Sequence, residues 1–147
     1  MPQAGISTYF SLDELIASGY AARHGIDNIP PPREMLSLRY TASQLDRIRA
    51  LLGVPVIVSS GYRSPVVNAA IGGAKNSQHM LGQAVDFTAP QFGSPEQIAR
   101  AIAGSHIPFD QLILEYGQWV HVSFVSQHPR GEVLTIDRNG TRQGIYA

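Results

Sequence analysis

Apolar residues recur at two different periods along this 147-residue chain, and the change of period divides it. The first third is patterned for helix. Ser11 followed by Glu14 reads as a capping box, which predicts a short helix near 12–18. Pro30-Pro31-Pro32 opposes both helix and sheet, so 19–33 is expected as an extended connector, with residues 1–10 as a loose arm. Thr41 and Gln44 form a second capping-box pattern. Leu45, Ile48, Leu51 and Leu52 follow at helical spacing, and Gly53 marks the stop.

Beyond Gly53 the period shortens toward two. Val54–Val58 reads as a buried strand, and 59–78, rich in Gly, Ser, Asn and Pro, as loop with a short helix starting at Ser64-Pro65. Ala84–Thr88 is the next strand. Ser94-Pro95-Glu96-Gln97 combines a cap, an N1 proline and an N3 glutamine, predicting a helix over 95–104. Gln111–Glu115 and Trp119–Phe124 form a hairpin around Gly117-Gln118, and Glu132–Asp137 and Thr141–Tyr146 another around Asn139-Gly140. Helices first, then strands with one inserted helix, predict an α+β fold. The expected architecture is one small domain over 1–147, with a mainly antiparallel sheet and helices on one side.

Composition narrows the function classes. Hydrophobic residues are 44% of the chain, enough for a core. Eleven basic residues balance eleven acidic ones, which argues against nucleic-acid binding by bulk electrostatics; Lys75 is the single lysine, and no polybasic membrane patch is evident. No apolar run approaches the roughly 18 residues of a membrane span. Met1–Gly5 lacks the charged and apolar regions of a signal peptide, so the expectation is synthesis in the cytoplasm and action after release. A monomer is expected. Without cysteine, any metal must be held by His, Asp or Glu.

The chemistry concentrates in Ser77–Asp86. His79 ends a loop and Asp86 lies inside an apolar strand, where a carboxylate is costly unless paired or bound to a metal. Alternation places Ala84, Asp86 and Thr88 on one face. It gives Trp119, His121 and Ser123 a face opposite Val120, Val122 and Phe124, and sets Glu115 opposite Leu112 and Leu114. Asp86, His121 and Glu115 can therefore share the polar face of one sheet. Two imidazoles and a carboxylate with an open fourth position form the ligand set of a catalytic zinc site, and a nearby free carboxylate can act as general base. Each residue alone has a plainer reading: a hydrogen-bonded strand histidine, a capping aspartate, a solvated glutamate, a rim tryptophan.

The pattern Ser-x-His-x-x-Gly-x-Ala-x-Asp at 77–86, with Trp-Val-His at 119–121, resembles the zinc D-Ala-D-Ala carboxypeptidase family. That family includes phage endolysins that cut peptidoglycan stem peptides and shares its fold with hedgehog signalling domains. The resemblance spans about residues 35–126. It implies zinc held by His79, Asp86 and His121. Ser60-Gly61-Tyr62-Arg63-Ser64 matches the family segment whose arginine enters the cleft, so Arg63 is implied to hold a substrate carboxylate or carbonyl oxygen. One departure stands out. Several members place the catalytic carboxylate three residues before the last histidine, where this chain has Gln118. The hedgehog-like branch places it six before, which is Glu115, so the base is assigned there. The implied function is hydrolysis of a stem peptide by a carboxypeptidase or an endolysin-type endopeptidase. The alternative is a non-hydrolytic zinc-binding or wall-binding module of the same fold. His24, His106 and His128 match no family position and are read as surface residues. Asn68 and Asn76 flank the motif without an assigned role.

Overall fold

Serine side chains open most of the helices. Ser11 caps α1 (Leu12–Ile16) with the reciprocal Glu14 bond that its spacing predicts. Ser18 caps α2 (Gly19–His24), and Ser94 caps α5 (Pro95–Ala103), where Gln97 closes a second capping box. Each accepts a backbone N–H that a first helical turn leaves unpaired. Between them, α3 spans Pro32–Leu52, and Ser64 caps α4 (Pro65–Ala70). The structure is a computed structural model, and it describes residues 5–146.

Three sequence expectations for the first third change. The segment 19–33 is not wholly extended, because α2 occupies its start. The helix read from Thr41 begins at Pro32 instead: a proline at the first helical position loses no hydrogen bond there, so the third proline starts the helix rather than forbidding it. Thr41 is then buried inside α3, and its hydroxyl donates to the Gly82 carbonyl at 2.7 Å instead of capping. The first four residues of the expected arm lie outside the described residues. Residues 5–10 are held: Asp46 accepts from the Ser7 hydroxyl and the backbone N–H groups of Thr8 and Tyr9, and Phe10 is buried.

The sheet has six strands in the order β1 (Ile57–Ser60), β2 (Ala84–Thr88), β4 (Trp119–Ser123), β3 (Gln111–Glu115), β5 (Glu132–Asp137) and β6 (Gly140–Gln143). Every neighbouring pair is antiparallel except β3 with β5. The buried strand expected at Val54–Val58 is instead an edge strand starting at Ile57, whose side chain is exposed. Pro55, which cannot donate to a ladder, stays outside it. The last hairpin forms, with its second arm confined to Gly140–Gln143.

Period two divides the central strands cleanly. Val85, Phe87, Leu112, Leu114, Val120 and Val122 face α3 and α5, where Leu38, Leu45, Ile48, Ile98 and Ile102 complete the core. Each fully buried side chain of this kind contributes about 1.5–3 kcal/mol. The opposite face of the same strands carries Asp86, His121 and Glu115. Among the described residues, no helix is long and apolar enough to cross a membrane.

Candidate metal centre

The register of β2 against β4 sets Asp86 directly opposite His121. Side chains so paired on one face lie close together, and here the His121 Nδ1 is 2.9 Å from the Asp86 Oδ1. The third member comes from outside the sheet. Residues Gln78–Leu81 form a 3₁₀ turn capped by Ser77, whose side chain accepts from the His79 N–H. This turn brings the His79 Nε2 to 3.3 Å from the same Asp86 oxygen. One ligand atom from each of the three lies within 4.8 Å of the others, and all three residues are buried.

The His79 ring is fixed by its other nitrogen. Nδ1 is 2.7 Å from the Gly61 carbonyl, an acceptor only, so Nδ1 carries the proton and Nε2 presents its lone pair. A backbone carbonyl behind a histidine is how metal ligands are commonly oriented. Gly61 is required there: a Cβ would collide with the Leu15 carbonyl. Asn28 holds the same segment, donating to the Ile16 and Tyr62 carbonyls and accepting from the Ser64 N–H.

Arg63 reaches the other oxygen of Asp86, and its backbone N–H donates to the His79 carbonyl. Its Nε donates to the Ser60 hydroxyl at 3.0 Å, its Nη1 to the Asn68 Oδ1 at 3.0 Å, and its Nη2 lies 3.5 Å from the Asp86 Oδ2. Asp86 thus uses one oxygen for the imidazoles and turns the other to a cation. Burial pushes this carboxyl up, but the hydrogen bond from His121 and the adjoining His79 imidazole outweigh it and hold it well below the usual carboxylate range.

Glu115 pairs with Trp119 across the β3–β4 ladder and faces the same side as His121, with its Oε1 3.8 Å from the His121 Nδ1. Burial and the Asp86 charge push its carboxyl above the ordinary value, against the pull of His121 and Arg63. A carboxylate so placed accepts a proton more readily than one in water. Gln118, at the alternative spacing, is exposed in the hairpin turn. The turn centres on Tyr116-Gly117, one residue earlier than expected. Arg63, His79, Asp86, Glu115 and His121 line a cleft of about 560 Å³ that continues over Ile113 and Ile136.

The structure brings together all five residues that the sequence singles out, and leaves His24, His106 and His128 exposed elsewhere. It also shows supports that periodicity misses. Asn68 is buried, bridging Arg63 to the Ala74 carbonyl. Gln78 donates to Asp110, which Arg130 grips with two guanidinium nitrogens and its backbone N–H. The signal for Asn68 lies in its five-residue spacing from Arg63 across a Ser-Pro helix start; for Asp110 the sequence holds none.

Two neutral nitrogens and one carboxylate oxygen, converging in a buried pocket open to a cleft, fit a borderline-soft divalent ion such as zinc. Comparison with known proteins agrees with this chemistry. Over 74 residues, half of this chain, the sequence is 36% identical to a zinc D-Ala-D-Ala carboxypeptidase from Streptomyces albus G, of whose length the match spans 28%. The sequence profile of peptidase M15 matches residues 8–123, a stretch that contains Arg63, His79, Asp86, Glu115 and His121. With both the donor set and its framework matched over most of its length, the chain belongs to the peptidase M15 family.

Proposed function

We propose that the protein is a zinc peptidase that hydrolyses a peptide bond in peptidoglycan stem peptides, as a carboxypeptidase or an endolysin-type endopeptidase. One observation carries the proposal: His79, Asp86 and His121 converge on one point, and Glu115 stands beside them on the same sheet face. Zinc held by those three residues supplies Lewis acidity, polarising a carbonyl and acidifying a water. Glu115 takes the proton from the attacking water as the new C–O bond forms. It returns that proton to the nitrogen as the C–N bond breaks. Arg63, its plane fixed by Ser60 and Asn68, offers its remaining N–H groups to a carboxylate or carbonyl oxygen of the substrate. Similarity to a D-Ala-D-Ala carboxypeptidase supports a wall peptide as substrate.

The test uses purified protein with intact peptidoglycan and with synthetic stem peptides, read by mass spectrometry. We expect new peptide ends that vanish with chelator and return with zinc. Zinc-loaded protein that releases no new ends from any of these substrates sinks the proposal and favours a non-hydrolytic zinc module.

A further inference from the structure

The tip of the β3–β4 hairpin holds a conformation that the fold itself does not need. The Gln118 N–H donates to the Glu115 carbonyl at 2.9 Å, and the two residues between have φ of 55° at Tyr116 and 63° at Gly117. The loop between the paired Glu115 and Trp119 has three residues, and positive φ at the first two of them is a conformation that Asn and Gly adopt most readily. A bulky residue at the first of them is strained where Asn or Gly would be at ease. The Tyr116 ring is not recovered by the core either, for it is half exposed.

That ring leans on Trp119, with centroids 5.9 Å apart and planes tilted by 40°. Trp119 is the cross-strand partner of Glu115, and it lines the cleft that holds the metal ligands. Tyr116 itself lines the neighbouring cleft with Leu114, Thr135 and Tyr146, so the two tilted rings form the rim between the two clefts, one residue beyond the carboxylate. Strain retained at an exposed rim points to use there.

We propose that Tyr116 and Trp119 form a ledge that binds an uncharged, C–H-rich face of the substrate, beyond the bond that is cut. Aromatic faces carry partial negative charge and attract C–H edges. Such a face is offered by one side of a pyranose ring of the glycan strand or by an aliphatic side chain of the stem peptide. The choice of these two rests on the wall-peptide function proposed above; the ledge itself rests on the turn geometry.

Trp119 is the chain's single tryptophan, so its emission reports directly on the ledge. Zinc-loaded protein is mixed by stopped flow with a disaccharide-linked stem peptide, and separately with the same peptide lacking sugar, and emission is read before turnover. We expect a saturable change in the wild type that is insensitive to salt. In Tyr116→Asn, the melting temperature should be equal or higher, while the dissociation constant rises about three- to tenfold. Tyr116→Phe should behave as wild type. Weakening confined to the sugar-linked fragment assigns the ledge to the glycan; equal weakening with both assigns it to the peptide. Unchanged affinity in Tyr116→Asn overturns the proposal. So does a lack of any emission change in the wild type, or a loss that salt abolishes, which marks a cation on the rings. Failure to cleave either fragment counts against the peptidase function alone and leaves this titration valid.

Discussion

Asp86 and Asp110 are both buried carboxylates, 8% and 4% exposed, and both are held below the usual carboxylate range. Their partners differ in kind. Asp110 is held by donors that have no lone pair to offer a metal: three N–H groups of Arg130 and the Gln78 amide N–H. Asp86 turns one oxygen to two imidazole nitrogens, groups whose lone pairs a metal can use, while its second oxygen lies 3.5 Å from Arg63. The first arrangement is complete as it stands. The second holds three acceptors crowded on one point, which becomes favourable when a cation occupies it. A buried acid thus marks a site by what surrounds it, and burial alone does not separate the two.

The largest expected effect follows directly. Asp86→Ala should abolish stoichiometric zinc binding and bring turnover to background, since only two neutral ligands remain. The zinc-free variant should also melt below zinc-free wild type, because the fold stabilises the Asp86 charge and Arg63 loses its buried partner. Zinc content by elemental analysis and melting curves with chelator check both halves. A variant that keeps one zinc per chain would place the metal elsewhere.

Next in size is Glu115→Gln. The amide is nearly isosteric and is not one of the three converging ligands, so zinc should remain bound. Losing a general base lowers kcat by about 10²–10⁴. Steady-state kinetics beside a zinc assay measure it. Full turnover with zinc bound would move the base to another group. Gln118→Glu in the same background asks whether the shorter family spacing can substitute. We expect no rescue, because residue 118 sits exposed in the turn.

Asp110→Asn should act on stability instead. Arg130 and Gln78 would meet an amide in place of a carboxylate, losing charge-assisted bonds and turning a donor toward donors. The expected cost is about 2 kcal/mol with zinc stoichiometry unchanged, readable by denaturant titration. Loss of zinc in this variant would erase the distinction between the two acids.

The sequence made one of these acids legible and hid the other, for a physical reason. Asp86 interrupts a strand whose alternation is otherwise apolar, so its face, and the like face of His121, follow from period two, while the β2–β4 register that sets them opposite appears only in the folded sheet. Strand boundaries at 84–88, 111–115 and 132–137 were readable for the same reason, and the serine caps at 11, 64 and 94 from local hydrogen bonding. Asp110 sits just before β3, where no period constrains it, and its partner Arg130 lies in the loop after β4, at a separation that only the folded sheet closes. The start of α3 was hidden too. Pro30-Pro31-Pro32 looks like a barrier from either side, and only the folded chain shows the third proline as N1 of a helix that runs past Thr41.

The smallest effect is the pH dependence of the Asp110 pair. The Arg130 guanidinium is the chief cause that draws the Asp110 carboxyl down to about 2, against the opposing push of burial. A group whose folded pKa lies below its unfolded value stabilises the fold above the unfolded pKa, near 3.8. That contribution is lost as the pH falls through about 4 toward about 2. The shift would amount to roughly 2 kcal/mol, but Arg130 is half exposed, so solvent and salt screen it to about 1–2 kcal/mol. Denaturant titrations between pH 5 and about 2, in zinc-free protein with chelator present, should therefore show wild-type stability falling faster than that of Asp110→Asn. The difference between the two curves isolates this pair from the other carboxylates, including Asp86, which both proteins share. High salt should shrink the gap, as expected for a half-exposed partner. Parallel curves for the two proteins would mean that Asp110 contributes through its shape alone, and that its charge, unlike that of Asp86, serves nothing in the fold.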